Sequence, residues 1–227
     1  MRRPVLYVLA GVNGAGKSSI GGHLLEAMGL SWFNPDAFAR ELRAATGCPQ
    51  EDANAQAWQE GMRRLDVAVR TGAHFAFETT LGGNSVPQRL HAVAATHDLL
   101  VWFAGLDTPE RHIARVAARV AVGGHAIPDA KIRERYPAAL ANLVALMPVI
   151  ALLQVYDNSV DAARGKPVPD PVLVLETVDG AVTYPTNARE LARTPDWAKP
   201  LVEAALELAE SKAKPARNTT KAVRRIT

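Results

Sequence analysis

Gly11-Val12-Asn13-Gly14-Ala15-Gly16-Lys17-Ser18 decides the fold of this 227-residue chain. The segment matches GxxxxGK[ST] at every fixed position and directly follows the apolar run PVLYVLA of residues 4–10. A short run rich in Val, Leu and Tyr predicts a strand buried on both faces. After the motif, Ile20, Leu24 and Met28 recur at four-residue spacing, which predicts a helix from Lys17 closing at Gly29. Strand, glycine-rich loop and helix in that order make a phosphate cradle. The glycines let the backbone curl until successive N–H groups point at phosphate oxygens, and the helix start adds its positive dipole end. Gly11, Asn13, Gly14, Ala15, Gly16, Lys17, Ser18 and Ser19 are therefore candidate nucleotide-binding residues. Lys17 offers a point charge to the β- and γ-phosphates, and the Ser18 hydroxyl is the candidate metal ligand. The expected ligand is ATP or GTP with Mg²⁺.

Outward from the loop, strands and helices alternate. A strand is expected near Leu30–Phe33, a helix over Pro49–Thr71 closed by Gly72, and strands at Phe75–Phe77 and Leu99–Ala104. Thr108-Pro109-Glu110 reads as an N-cap, a first-turn proline and an acidic first turn, so a helix runs from there to about Val122. A second helix covers Asp129–Leu146, kinked or split at Pro137, and a strand follows at Ala151–Tyr156. Val172–Thr177 and Ala181–Tyr184, joined by Asp179-Gly180, give a hairpin signal, and Leu191–Glu210 reads as helix with breaks at Pro195 and Pro200. The expected fold class is α/β: a P-loop NTPase three-layer sandwich, its parallel sheet covered by helices on both faces, with a helical lid and a small C-terminal hairpin and helix. Residues 1–160 would form the core with its lid at 109–147, residues 161–210 a hairpin and helix packed on it, and 211–227 a tail. The ligand should lie at the C-terminal ends of the strands.

Composition agrees with one soluble globular unit: 48% hydrophobic and 6% aromatic residues over a length sufficient for one α/β domain. The single Cys48 cannot make an internal disulfide, and no apolar stretch near the N-terminus is long enough for a signal core or a membrane span. A cytoplasmic, membrane-free protein is expected. Lys212, Lys214, Arg217, Lys221, Arg224 and Arg225 crowd into residues 211–227 without an acid. Of the 26 Lys and Arg, the 20 outside this tail face 23 acids, so the sequence pI of 9.2 says little about the body. Such a tail reads as a solvated terminus or as a tether to nucleic acid or membrane.

Downstream, Asp36 follows Asn34-Pro35 at the end of the expected second strand. A carboxylate there serves as general base toward an acceptor hydroxyl or as the N-cap of a helix over Ala37–Ala44; the residues support both. Glu78-Thr79-Thr80 ends the apolar stretch around Phe75–Phe77, where a charged Glu needs a polar partner: a substrate hydroxyl, a Mg²⁺-bound water, or solvent. Gly82-Gly83 suggests a mobile loop over an acceptor pocket. Arg111, Arg115 and Arg119 share one helix face, Gly123-Gly124-His125 makes a joint, and Arg133 and Arg135 follow on the next helix. Two cationic arms about a glycine hinge have the layout of a kinase lid, although an arginine stripe is also an ordinary solvated face. His125 has no second His or Cys at ligand spacing, so a hinge or lid role is expected rather than zinc.

Read together, GVNGAGKSS, FNPDAFAR, FETTLGG, RVAARVAVGGHAIPDAKIRERY, ALANL and VYDNS resemble the zeta-toxin family of phosphate-loop kinases, in its short chromosomal branch. These segments cover most of Pro4 to Ser159 in the family's order, and GGHxxP followed by Ile and Arg-Tyr is more distinctive than the phosphate loop. The resemblance implies a phosphotransferase using ATP or GTP with Mg²⁺; its best-known members phosphorylate the 3′-hydroxyl of a UDP-N-acetylated amino sugar. By that match Asp36 is the general base and Glu78 and Thr79 touch the acceptor, with Thr80 and His125 grouped beside them. Arg119 with Arg133 or Arg135 clamps the phosphates, while Asp157 and Asn158 lie near the base or ribose. A partner antitoxin protein is implied, and no antitoxin segment is expected ahead of a first strand that begins at residue 4. Pro137 leaves open which of Arg133 and Arg135 faces inward.

Two rival readings differ in class. A nucleotide-hydrolysing module coupled to a partner would carry adjacent acids after a hydrophobic strand, yet Leu99–Ala104 leads only to the lone Asp107. A nucleic-acid-end or nucleoside kinase would use the basic tail, which lacks aromatic residues for base stacking. The leading expectation is transfer to a small-molecule hydroxyl.

Overall fold

The computed structural model describes residues 3–27, 30, 32–160 and 169–213. The expected helix end at Met28 and Gly29, the side chains of Ser19 and Leu24, and the basic tail beyond residue 213 lie outside that set. The chain begins with β1 (Val5–Ala10), whose Leu6, Val8 and Ala10 enter one core while Tyr7 and Leu9 enter another. Both faces are covered, so the whole strand reads as apolar. There follow α1 (Lys17–Ala27), α2 (Pro35–Thr46), α3 (Gln50–Thr71), β2 (Phe75–Thr79), α4 (Ser85–Val93) and β3 (Asp98–Gly105). Then come α5 (Pro109–Ala121), α6 (Asp129–Leu146), β4 (Leu152–Asp157), β5 (Val172–Val178), β6 (Ala181–Tyr184), α7 (Ala188–Leu191) and α8 (Lys199–Ala213).

The six strands form one mixed sheet in the order β2-β1-β3-β4-β5-β6. β1 to β4 are parallel, and β5 and β6 add to the edge antiparallel. The hairpin therefore extends the sheet. Its turn residues Asp179 (φ 51°) and Gly180 (φ 80°) both take the left-handed conformation that a tight two-residue turn requires. Residues from α3, α4, α5, α6 and α8 pack on one face; on the other, Leu25 of α1 meets Tyr7, Leu9, Ala76 and Trp102. α2 lies on α3 through Ala39, Ala53 and Ala57. Among the described residues no helix is long and apolar enough to cross a membrane.

Several boundaries differ from expectation for local reasons. Instead of a strand near Leu30–Phe33 there is a single parallel bridge, Phe33 to Phe77. Asn34 ends it at once, because its side chain caps α2 by accepting from Ala37 N, with Pro35 in the first turn. Asp36 is thus neither a strand end nor the cap; it sits in the first turn of α2. α6 runs through Pro137 unbroken. Pro137 lacks the N–H that would meet the Arg133 carbonyl, but both residues are exposed, so the carbonyl left without that partner is not in the core. Pro195 does separate α7 from a 3₁₀ turn at Asp196–Ala198, whereas Pro200 starts α8 rather than breaking it. The expected tail begins inside α8, and Lys212 donates to the Asp179 carbonyl at 3.1 Å. α4 was not expected at all: no side chain caps it, and its first turn carries Pro87.

Candidate active site

The parallel strands end together: Ala10 is in register with Thr79 and Phe103, and Gly105 with Asp157. At that edge the phosphate loop curls through Gly11, Gly14 and Gly16, at φ 136°, 85° and 87°. Close approach also demands glycine, since a Cβ on Gly11 would stand 2.2 Å from the Ala104 carbonyl oxygen. One on Gly14 would stand 2.7 Å from that of His112. A turn from Ala15 N to Val12 O (3.1 Å) closes the loop, and α1 starts at Lys17 with its N-terminus toward it.

Lys17 is only 8% exposed, with its Nζ 3.4 Å from Glu78 Oε1 and 3.5 Å from the Val12 carbonyl. The other Glu78 oxygen, Oε2, accepts from Ser18 Oγ at 2.8 Å and Asn34 Nδ2 at 3.0 Å. Glu78 thus ties the loop to the start of α2. The sequence placed a charged residue at an apolar strand end, and its polar partner is the phosphate-loop lysine.

The arginines of α5 and α6 diverge. Arg111 makes two hydrogen bonds to Asp107 (2.7 and 3.1 Å), and Arg115 donates to the Val160 carbonyl at 3.1 Å. Arg119 Nη1 stands 3.8 Å from Asp36 Oδ2, and its Nη2 donates to the His125 carbonyl at 3.4 Å. His125 Nε2 is 3.9 Å from Asp36 Oδ1, so Arg119 and His125 meet the same carboxylate. On α6 the ambiguity resolves. Arg133 pairs with Glu110 on the surface, whereas Arg135 donates to Asn13 Oδ1 in the phosphate loop at 2.8 Å.

Thr79 and Thr80 line the cleft, and their hydroxyls accept from Leu81 N and Gly82 N, each at 3.2 Å. The expected mobile loop is instead pinned. Leu81 is buried at φ 53°, Asn142 Nδ2 donates to the Leu81 and Gly83 carbonyls (2.7 and 3.2 Å), and Gly82 lies against the Arg135 stem. Asn158 donates to the Ala15 carbonyl at 2.9 Å, and its amide would stand 2.5 Å from a Cβ on Gly16. Asp157 turns away: its Oδ1 accepts from Trp197 Nε1 (3.1 Å), Ser159 N (3.2 Å) and the Ser159 hydroxyl.

Three contributors were not singled out from sequence: Asn34, Asn142 and His112. His112, 1% exposed, has its Nδ1 2.9 Å from the Asn13 carbonyl and its ring edge-on to Tyr136. Burial pushes its pKa down to about 4, against the raising effect of that hydrogen bond. The ring is therefore neutral at pH 7, and since a carbonyl only accepts, Nδ1 carries the proton. Tyr136 in turn donates to the Leu106 and Asp107 carbonyls (3.1 and 3.0 Å), and burial followed by Asp107 pushes its hydroxyl up to about 12. The cleft has room of about 390 Å³ and is lined by the phosphate loop, the start of α2, the end of β2, α3 and α6.

The model of the AAA domain family AAA_33 matches residues 6–136, more than half of the chain. The chain belongs to that family. A Haemophilus influenzae protein described only as uncharacterized is 29% identical to this AAA domain protein over 130 residues, 56% of this chain and 88% of that one. Among solved structures, the AvrRxo1-ORF1:AvrRxo1-ORF2 complex with ATP matches at TM-score 0.60 and 15% identity, over 89% of this chain and 64% of that one. The PezAT chromosomal toxin-antitoxin system of Streptococcus pneumoniae matches at TM-score 0.52 and 14% identity, over 95% and 89%. A candidate kinase of Chloroflexus aurantiacus matches at TM-score 0.50 and 16% identity, over 59% and 78%. At these identities the likeness is one of fold: a P-loop, kinase-like α/β sheet with helices around it.

Proposed function

We propose that this protein is an ATP- or GTP-dependent phosphotransferase that moves a γ-phosphoryl group to a hydroxyl of a small molecule. One observation carries the reading: Lys17 and Arg135, which would hold phosphate, and Asp36, which would take a proton, line the same cleft. Asp36 accepts the proton of the acceptor hydroxyl as that oxygen bonds to the γ-phosphorus. The bond from phosphorus to the β–γ bridging oxygen breaks, and the nucleoside diphosphate leaves. Lys17, Arg135 and Arg119 offset the charge that spreads over the transferring group; such an arginine is worth ~10³–10⁵ in turnover. General-base help from Asp36 adds ~10²–10⁴. Thr79 and Thr80, which line the cleft, would meet the acceptor.

The residues present fit Mg²⁺. Ser18 Oγ and Glu78 Oε2, 2.8 Å apart, are hard oxygen donors, and no group of three or more His, Cys, Asp or Glu forms a metal cage among the described residues. That is the donor set of an ion held largely by phosphate and water. Bound there, the ion would neutralise charge on the β- and γ-phosphates.

The resemblance to zeta toxins extends the proposal to a UDP-N-acetylated amino sugar as acceptor and an antitoxin as partner. The fold shared with the PezAT toxin-antitoxin system supports the partner half of that extension. The test is incubation with Mg-ATP and a pool of nucleotide sugars, nucleosides and oligonucleotides, read by mass spectrometry. A product heavier by one phosphoryl group is expected from a nucleotide sugar. ADP and free phosphate without any such product would overturn the kinase reading in favour of a hydrolysing module.

A further inference from the structure

Four tryptophans are distributed unevenly between core and surface. Trp102 and Trp197 are each 8% exposed, while Trp58 is 49% exposed, and Trp58 lines the cleft described above. On α3 the residues around it are small or buried: Ala57 at 1%, Met62 at 8%, and Gly61, where a Cβ would stand 2.9 Å from the Phe33 ring. The helix is thus seated on the core without help from the Trp58 indole. Among the described residues no aromatic ring stacks on it, and the guanidinium of Arg64 lies over Phe33 instead. Asn54, one helical turn earlier, lines the same wall. The same cleft is also lined by the charged Asp36, Glu78 and Arg135. An indole left half open in a cleft that also holds charged side chains offers a large flat apolar face at little conformational cost.

We infer that Trp58 is a specificity-determining residue, the platform on which a flat ring of the acceptor stacks while its hydroxyl faces Asp36. The inference rests on the phosphotransferase reading of this cleft. Flat-ring chemistry has two sources here, a nucleobase or the C–H face of a pyranose. Base–aromatic stacking is typically lost at a cost that amounts to ~10-fold in affinity.

The test compares wild type, Trp58→Ala and Trp58→Phe with UDP-N-acetylglucosamine, N-acetylglucosamine, uridine and glycerol as acceptors. Trp58→Ala should raise KM about 10-fold for a ring-bearing acceptor, leave kcat and the KM for ATP within about twofold, and be largely rescued by Trp58→Phe. An effect with UDP-N-acetylglucosamine and uridine alone assigns the platform to the base; an effect with N-acetylglucosamine assigns it to the sugar. An unchanged acceptor KM, or an equal loss with glycerol, overturns the inference. Binding of UDP-N-acetylglucosamine followed by tryptophan fluorescence keeps the two claims apart. Quenching present in wild type and absent in Trp58→Ala supports the platform even if no acceptor is phosphorylated, an outcome that would sink only the transferase reading. Absent or equal quenching counts against the platform.

Discussion

Arg135 of α6 donates a 2.8 Å hydrogen bond to the side-chain oxygen of Asn13 in the phosphate loop, while His112 of α5 holds the carbonyl of the same residue. Both α5 and α6 therefore grip one loop residue, by its backbone and by its side chain. An arginine poised on an amide oxygen can exchange that acceptor for a phosphate oxygen without crossing the cleft.

The two neighbouring arginines of α6 should separate cleanly. Arg135→Ala is expected to lower kcat by ~10³ or more, because a cation on the transferring group acts mostly in the transition state. Arg133, paired with Glu110 on the surface, should change kcat by no more than about twofold when replaced by Ala. Steady-state phosphoryl transfer decides it, and equal losses in both variants would refute the inward assignment of Arg135.

Asp36 tests the acceptor half of the reaction. Asp36→Asn keeps the size of the side chain and removes its basicity, so transfer should fall by ~10²–10⁴. Nucleotide affinity by calorimetry should stay within about twofold, because the phosphate loop is untouched. Lost nucleotide binding would instead give Asp36 a structural part, through its contacts with Arg119 and His125.

His112 makes stability depend on pH. In the folded protein it stays neutral down to about pH 4, whereas the unfolded chain protonates it near 6.5. A depressed histidine pKa means its stabilising effect is fully present above pH 6.5 and is lost as pH falls toward 4. The whole span is worth about 3 kcal/mol. His112→Gln retains an N–H donor for the Asn13 carbonyl and does not titrate. Urea unfolding at pH 7.5 and 4.5 should show a clearly smaller acid loss in the variant, and identical losses in both proteins would contradict the buried neutral ring.

Much of this was legible because local chemistry decided it. The phosphate loop declares itself through glycines at positive φ, Thr108-Pro109 through a cap, and Asp179-Gly180 through its turn. The apolar run near Leu30 predicts a strand because such a run shows nothing about how soon Asn34 caps the next helix. Helical spacing places Arg111, Arg115 and Arg119 on one face, yet they meet Asp107, Val160 and Asp36, which come from two loops and α2. Neither Arg135 over Arg133 nor the pinning of the Gly82 loop by Asn142 is encoded at short range; both follow from how α6 packs on the loop after β2. His112 was passed over because a histidine beside arginines reads as surface until the fold buries it.

Adjacent glycines in that pinned loop give the sharpest contrast. A Cβ on Gly82 would stand 2.5 Å from Arg135 Cγ and 3.0 Å from its Cα, so the α6 backbone itself must move to admit one. A Cβ on Gly83 meets nothing within 4 Å. Gly82→Ala should therefore destabilise the protein by about 1–3 kcal/mol. It should also displace Arg135 from Asn13, lowering kcat much more than it weakens nucleotide binding. Gly83→Ala should leave melting temperature and turnover close to wild type. Thermal melts alongside phosphoryl-transfer assays read both effects. If Gly82→Ala proved as silent as Gly83→Ala, the seating of α6 against the loop after β2, and with it the inward course of Arg135, would be wrong.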